Sequence, residues 1–411
     1  MYSPLRLCLL TLCFASVSAF ATPVTLLEAE AILLQSNASI LAARRALEAA
    51  SADITIAGQT PNPTVSYSAT DINRREGIGG GSLPHKHMDQ TLAIQQQIER
   101  GDRRELRRSS AAALEQAARA DYADICRQQR LALHQNWFDL LAAIERKRLL
   151  EETAALYRRG MVATELRLKL GDMSRVEASR LSIEALRAEN DARLAAAEQA
   201  KAHSRIALLL GRPELQALEP ANEWPQPQTM EAAIAIEARP DVRAAQARIL
   251  ASEQRRSIAR SLTTRDITVG AQVERFGPAP GVTYGLSIAM PLFIRYGFEG
   301  EQARAEAEYG AALDERERIL QGAGSEVLRA RTDLAAASDR LQRIETQALP
   351  QAREVGGASE LAYRKGAIGL TDLLDARRTL RAVELEVVAA RADHAKAMAA
   401  WLAATQWEIS K

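Results

Sequence analysis

The amino-acid sequence predicts a mainly α-helical protein with a small β part, arranged in two internal repeats. Its composition is rich in Ala, Leu, Glu and Arg and contains only 4% aromatic residues, which is typical of long packed helices. Two stretches, 102–170 and 298–365, each run for close to seventy residues, with Pro350 as the one strong helix breaker. Four short runs alternate apolar and polar residues, a pattern that predicts strands.

The N-terminal segment has the pattern of a cleaved secretory signal. Arg6 precedes an apolar run, 7–20, that ends in small residues. A membrane anchor is the alternative, but this run is too short to span a bilayer comfortably. We therefore expect residues 1–21 to be removed from an exported chain. Only Cys126 then remains, so no intramolecular disulfide is expected and packing must hold the fold.

Two halves of the mature chain follow the same plan, and a Pro-rich linker separates them. The first half is 22–213, the linker is 214–228 and the second half is 229–411. Each half opens with a short amphipathic helix, continues with two strands and ends in two long helices joined by a glycine turn. The predicted strands lie near 64–71, 90–98, 267–276 and 282–293, and the predicted long helices are 102–170, 172–210, 298–365 and 370–407.

The four strands have the length that a tilted strand needs to cross a bilayer. A soluble sheet with one wet face is the alternative that base rates favour. The mature sequence has no apolar run long enough for a membrane helix, so a membrane-inserted form requires a closed barrel. Four strands are too few to close one, because small barrels begin at about eight strands. Several protomers would therefore share a barrel.

The long helices also call for neighbours. A helix of about seventy residues is roughly 100 Å long, and a compact monomer cannot bury so much amphipathic surface. Coiled-coil packing with other copies is the natural solution. A structural filament protein fits this feature too, but it does not fit a signal peptide followed by paired strands.

Four segments resemble the TolC family of outer-membrane efflux channels, and the resemblance covers essentially the whole mature chain. They are Pro61-Asn62-Pro63 before a strand, Gln95–Gly101 after one, Ser287–Phe293, and the turn Tyr363–Ala376. The Pro-Asn-Pro and Gln-Ile-Glu forms most resemble the heavy-metal (CzcC-like) branch. The resemblance implies a trimer whose twelve strands close one barrel and whose twelve long helices form a periplasmic tube. It also implies an exit duct that works with a periplasmic adaptor, an inner-membrane RND pump and outer-membrane lipid.

Acidic residues near the last turn are similar to the family's channel constriction. Asp372 and Asp375 match its inward-pointing aspartates, and Tyr363 matches a tyrosine that helps to latch the closed tube. Glu177 occupies the position of Asp372 in the first half. From the residues alone, Asp372 and Asp375 share a helix face at i and i+3, and three copies would gather six carboxylates. Ordinary acidic residues at a helix N-terminus are the alternative.

The turns at the ends of the long helices are the predicted contact with an adaptor. In the first half the turn could lie at Gly160 or Gly171, and Gly171 makes the two halves equal in length within one residue. The family pattern departs at Ile368, where its best-known member has an arginine, so a polar latch is expected to be built differently. The predicted docking residues are Gly171, Gly366, Ala367, Ile368 and Leu370.

The remaining candidates are weaker. His85, His87 and Met88 lie between the first two strands and suit soft or borderline metals, although a solvated loop is the more common explanation. No catalytic motif is found, so we expect no enzyme and no cofactor. The net charge of +1 gives no reason to expect nucleic acid. A periplasmic adaptor protein and a structural coiled-coil protein of the envelope remain as alternative functions.

Overall fold

The computed structural model describes residues 24–72, 75, 77–171, 173–213, 220–221, 223–225, 235–277 and 281–405. The predicted signal peptide, 1–21, lies outside these residues, as does most of the linker 214–228 and the end of the predicted last helix. The prediction of a mainly α-helical protein with a small sheet is confirmed.

Eight α-helices and four strands make up the described part of the chain, in the same order in each half. The helices are α1 (Leu26–Ser36), α2 (Ala38–Ala57), α3 (Arg103–Leu170), α4 (Arg175–Leu209), α5 (Pro240–Ser261), α6 (Glu299–Arg343), α7 (Leu349–Arg364) and α8 (Leu370–Thr405). The strands are β1 (Thr64–Thr70), β2 (Asp89–Ile98), β3 (Ile267–Arg275) and β4 (Thr283–Ala289). Thus α2-β1-β2-α3-α4 is followed by α5-β3-β4-α6-α7-α8.

Local chemistry explains where the long helices begin and end. Helix α3 has 68 residues, which makes it about 100 Å long. It ends at Gly171, whose φ of 80° is left-handed and favours glycine. Helix α4 begins with a capping box, in which the Ser174 hydroxyl accepts from the Glu177 amide and the Glu177 carboxylate accepts from Ser174. Asp102 and Phe298 precede α3 and α6 in the left-handed conformation.

The second long helix contains an irregular turn at its proline. A continuous helix over 298–365 is predicted by the sequence, whereas the structure has a π-helical turn, Ile344–Ala348, between α6 and α7. Pro350 lies in the first turn of α7. Proline has no N–H and its ring crowds the preceding turn, so a wider turn before it lets the helix continue.

The sheet is antiparallel throughout, in the order β1-β2-β3-β4. Strands β1 and β4 are its edges and have no second neighbour in the described protomer. The fourth strand ends at Ala289, earlier than the predicted 293. The reason is Pro291, which cannot donate to a ladder. At the opposite edge of the sheet, Pro61 and Pro63 lie just before the start of β1.

The largest apolar core lies where the short helices pack on α3. Leu33 and Ile40 of α1 and α2 are fully buried there against Leu133, Trp137 and Ile206. Burial of such side chains stabilises a fold by about 1.5–3 kcal/mol each. In the described part of the chain, no helix is both long enough and apolar enough to cross a membrane.

The described part of the linker packs against this core. The Trp224 ring stacks on Phe138 at 6.1 Å between centroids, and its indole N–H donates to the Glu145 carboxylate at 2.9 Å. The Ala221 amide donates to the Val24 carbonyl at 3.1 Å. The linker therefore joins the start of the described chain to the middle of α3.

Candidate functional site

The two helical hairpins meet at one end of the protomer, which we call the tip. One hairpin turns at Gly171 between α3 and α4, and the other turns at Gly366 between α7 and α8. A small apolar cluster joins them, in which Tyr157 and Leu181 of the first hairpin contact Leu374 of the second. The tip is therefore a packed unit rather than two independent turns.

The two aspartates of the predicted constriction lie on the exposed side of α8. Leu373 and Leu374, which lie between them in sequence, are buried in the tip. Asp372, the third residue of α8, accepts from the Gly369 amide at 3.3 Å, as the N3 carboxylate of a capping box does. Asp375 has no hydrogen bond or ion pair to the residues that the structure describes. Both carboxylates are therefore free to face a solvent-filled space.

The two predicted latch residues lie at the same tip but have different roles within the protomer. Glu177 caps its own helix, and the hydrogen bonds from Ser174 hold the pKa of its carboxyl below the usual value. Tyr363 bridges the hairpins, because Arg167 of α3 donates to its hydroxyl at 3.3 Å and lies 6.0 Å from its ring centre. Tyr363 thus makes a contact between hairpins in this protomer, and Glu177 makes a contact within its own turn.

Two polar contacts between the hairpins involve residues that the sequence analysis did not single out as site residues. Arg378 of α8 donates two hydrogen bonds to Glu184 of α4, at 2.7 and 3.2 Å. The Glu184 side chain is only 11% exposed, and the hydrogen bond from Arg378 is the main cause that lowers the pKa of its carboxyl. Arg180 of α4 also donates to the Thr371 hydroxyl at 3.1 Å. We call the Glu184–Arg378 and Arg180–Thr371 contacts the cross-hairpin lock.

The predicted docking residues differ in how accessible they are. A Cβ added at Gly171 or Gly366 would meet nothing within 4 Å, so both turns face open space. Ala367 is exposed and Ile368 is half-buried. Leu370 is buried in the tip cluster, which corrects the expectation that it is a surface residue. Its apolar side chain contributes to the core of the tip because α8 begins there.

The three predicted metal ligands differ in exposure in the described loop. Met88 is 6% exposed, while His85 and His87 are exposed. His85 Nδ1 is hydrogen-bonded to the Ser82 hydroxyl at 2.9 Å. Among the residues that the structure describes, no group of three or more His, Cys, Asp or Glu side chains could hold a metal ion.

The sheet at the other end of the protomer has two chemically different faces. Directly paired residues share a face, and one face carries two apolar rows that cross all four strands. The first row is Tyr67, Leu92, Val273 and Tyr284, and the second is Val65, Ile94, Ala271 and Leu286. The opposite face carries polar or small rows, such as Ser68, Thr91, Glu274 and Thr283.

The apolar face is exposed. Leu286, Tyr284 and Ile288 of β4 are 90%, 83% and 78% exposed. Such a surface requires an apolar partner, and alternation of apolar and polar faces is the pattern of strands between lipid and water. A sheet of this kind joined to helices about 100 Å long defines a segment of an outer-membrane channel.

Comparison with known families agrees with this class. Residues 31–212 and 233–405 match the family model described as outer membrane efflux protein, and the chain belongs to that family. It is therefore an outer-membrane efflux channel, and the family is one of channels rather than enzymes. The expectation of a TolC-like channel is confirmed, and the alternatives of an adaptor and of a structural coiled-coil protein are set aside.

Individual relatives cover nearly the whole chain. The cobalt-zinc-cadmium resistance protein CzcC of Cupriavidus metallidurans is 25% identical over 370 residues, which are 88% of this chain and 84% of that protein. The outer membrane protein VceC of Vibrio cholerae has the same fold, with a TM-score of 0.78 and 18% identity, over 93% of this chain and 97% of that one. The open-state MtrE channel of Neisseria gonorrhoeae has a TM-score of 0.74 and 17% identity, over 92% and 88% of the two chains.

Proposed function

We propose that three copies of this chain form one channel, with a twelve-stranded barrel in the outer membrane and a helical tube in the periplasm. The observation that carries this proposal is the four-stranded sheet with an exposed apolar face and two unpaired edges. Four strands cannot close a barrel, and an open edge is not tolerated in lipid. Pairing β4 of one copy with β1 of the next removes every edge and keeps the sheet antiparallel.

We expect the detergent-solubilised protein to be a stable trimer. Native mass spectrometry should give three times the mass of the mature chain, because β1 and β4 each have one open edge in the described protomer. Charged substitutions at Leu286 and Ile288, on the lipid face of β4, should weaken membrane insertion. The matched control places charges at Ser287, on the opposite face of the same strand. A stable monomer in native-like lipid would overturn the proposal.

We propose further that the channel is the passive exit duct of a tripartite efflux system, closed at the tip at rest. The tip supports this role, since it joins both hairpins by packing and by the cross-hairpin lock. Its exposed glycine turns and Ala367 offer a surface for an adaptor's helical hairpin, which links the duct to an inner-membrane RND pump. The similarity to CzcC supports heavy-metal cations as the exported substrate.

Replacing Gly366 by Trp tests the partner and the substrate together. The site has open space within the protomer, so the bulky ring should block docking without a clash inside the protomer. Gly366→Ala is the control, because it carries the same strain at a φ of 73° without the bulk. In a strain that lacks the gene, the natural chain and the Ala variant should restore growth in zinc, cobalt or cadmium, and the Trp variant should not.

Each result of this test contradicts a different statement. Full metal tolerance with Gly366→Trp in normal amounts in the outer membrane would show that the adaptor docks elsewhere. If the natural chain restores tolerance to organic compounds but to none of the three metals, the proposal that heavy-metal cations are the exported substrate is wrong.

A further inference from the structure

The segment that connects β4 to α6 has an unusual surface for a connection. Residues 290–298 leave the sheet after Ala289 and reach α6 at Glu299. Leu292 and Ile294 are 68% and 83% exposed in this segment, and Met290 is 44% exposed. They continue the apolar series of Tyr284, Leu286 and Ile288 beyond the end of the strand. We call residues 290–298 the exit segment.

An aromatic cluster holds the exit segment against the start of α6. Phe293 and Tyr296 each contact Phe298 in an edge-to-face arrangement, at 5.0 and 5.1 Å between ring centres. The Arg265 guanidinium lies 5.5 Å from the Phe293 ring centre. Leu292 and Ile294 are therefore presented to solvent by an ordered support and not by a loose turn.

The internal repeat supplies a comparison within the same chain. Aligning Gly101 with Gly297 pairs Asp102 with Phe298, the left-handed residues that directly precede α3 and α6. In this alignment the first half has Gln96, Gln97, Glu99 and Arg100 where the second half has Leu292, Phe293, Arg295 and Tyr296, and Ile98 stands opposite Ile294. The first half therefore passes from strand to helix with Ile98 as the one apolar residue among residues 96–100. Leu292 and the aromatic residues Phe293 and Tyr296 are therefore not needed for that geometry.

The charges differ between the halves as well. In the first half, Glu99 forms an ion pair with Arg107 at 2.6 Å. The equivalent positions in the second half are Arg295 and Ala303, so the carboxylate is replaced by an arginine and its partner is lost. Arg295 is exposed and has no carboxylate within 4 Å in the described part of the chain. Its charge is available to an external anion.

Arg265, which is half-buried, is the second cation at this level. The carboxylate of neighbouring Asp266 is already occupied by Arg103, at 2.9 Å, and by Gln97, at 3.0 Å. Arg265 itself has no ion pair to the described residues. The acidic side chains nearby are Glu299 and Glu301 in the first turn of α6, and Glu301 accepts from the Tyr296 hydroxyl.

We propose that the exit segment and Arg265 bind anionic phospholipid at the inner leaflet of the outer membrane. The inference rests on the proposed channel, in which the helix side of the sheet faces the periplasm. Leu292 and Ile294 then enter the acyl region next to the lipid face of β4, and Arg265 and Arg295 meet the headgroup phosphate. A neighbouring copy would form main-chain hydrogen bonds with the edge of β4. The side chains of Leu292 and Ile294 instead continue the apolar residues on the face of β4.

Lipid binding to the intact detergent-solubilised assembly tests the proposal. Native mass spectrometry would measure binding of phosphatidylglycerol and of phosphatidylcholine with the same acyl chains. We expect the natural protein to prefer phosphatidylglycerol by about thirtyfold, because two arginines at roughly 1 kcal/mol each near a charged surface give about 2 kcal/mol. Arg265→Ala with Arg295→Ala should remove this preference, and Leu292→Ser with Ile294→Ser should weaken both lipids. Arg100→Ala is the control at the matched level of the first half.

The outcomes separate this inference from the proposed channel. Equal binding of the two lipids by an assembly that inserts into vesicles would overturn the inference alone. A fall in preference with Arg100→Ala equal to that of the double arginine variant would place the effect in a general basic ring and overturn it too. Dissociation of the assembly by Leu292→Ser with Ile294→Ser would make the exit segment an interface between copies. Failure of the natural protein to insert into vesicles would overturn both proposals.

Discussion

Breaking the Glu184–Arg378 contact should open the channel. In planar bilayers we expect Glu184→Gln to raise single-channel conductance several-fold, because the contact is the only bidentate one between the hairpins among the described tip residues. Exchanging the two residues, as Glu184→Arg with Arg378→Glu, should restore part of the closure. Glu189→Gln is the matched control, because Glu189 meets Arg158 within the first hairpin, at 3.4 Å.

The same contact predicts how closure depends on pH. Arg378 lowers the pKa of the Glu184 carboxyl below its ordinary value of 4.5. A carboxylate with a lowered pKa in the closed state stabilises that state above its ordinary pKa, and the stabilisation is lost as pH falls through the lowered pKa. Conductance should therefore be flat near neutral pH and rise below about pH 4.5, and Glu184→Gln should remove the rise. If Glu184→Gln conducts like the natural protein both near neutral pH and below about pH 4.5, closure depends on other contacts.

Removing both tip carboxylates should reduce cation selectivity. Three copies of Asp372 and Asp375 would give six charges, and at about 10 Å from the axis in 0.1 M salt their combined energy for a monovalent ion is roughly 1 kcal/mol. Asp372→Ala with Asp375→Ala should therefore lower the local cation concentration about fivefold and raise conductance by widening the constriction. Reversal potentials in a salt gradient measure the selectivity.

The salt dependence and a control locate the charge. The difference between the double variant and the natural channel should shrink in 1 M salt, where the screening length is about 3 Å. Asp314→Ala with Asp333→Ala removes two exposed carboxylates from α6, away from the tip, and should change selectivity less. Equal effects of the two double variants would place the constriction elsewhere in the tube.

The fold was largely predictable because its determinants are local. The turn at Gly171 follows from a glycine between two long helical patterns, and the strands follow from alternation that a two-faced sheet requires. The predicted end of β4 was too late. Its apolar alternation continues past Pro291, but Pro291 cannot donate a backbone hydrogen bond to a partner strand. Alternation of apolar and polar residues indicates the surroundings of the side chains. It does not indicate where backbone hydrogen bonding to a partner strand ends.

The tip was predictable in position and not in its contacts. The resemblance places Asp372, Asp375 and Tyr363 at the end of the second hairpin, and the structure has them there. Glu184 and Arg378 are separated by 194 positions, and each is one of many charges on long helices. Only the three-dimensional placement of α8 beside the first hairpin selects this pair from the alternatives. The burial of Leu370 likewise depends on the opposite hairpin.

The π-helical turn Ile344–Ala348 determines which side of α7 meets α8. One extra residue in a helix rotates everything after it by about 100° around the axis. With that rotation, Ala352 and Gly356 are buried, and a Cβ at Gly356 would lie 3.0 Å from Leu380 of α8. Without this rotation, Ala352 and Gly356 would point away from α8, and bulkier side chains of α7 would meet α8 instead. The rotation of the turn at Gly366 about the axis of α7 is thus set by a single added residue about twenty positions earlier in the chain.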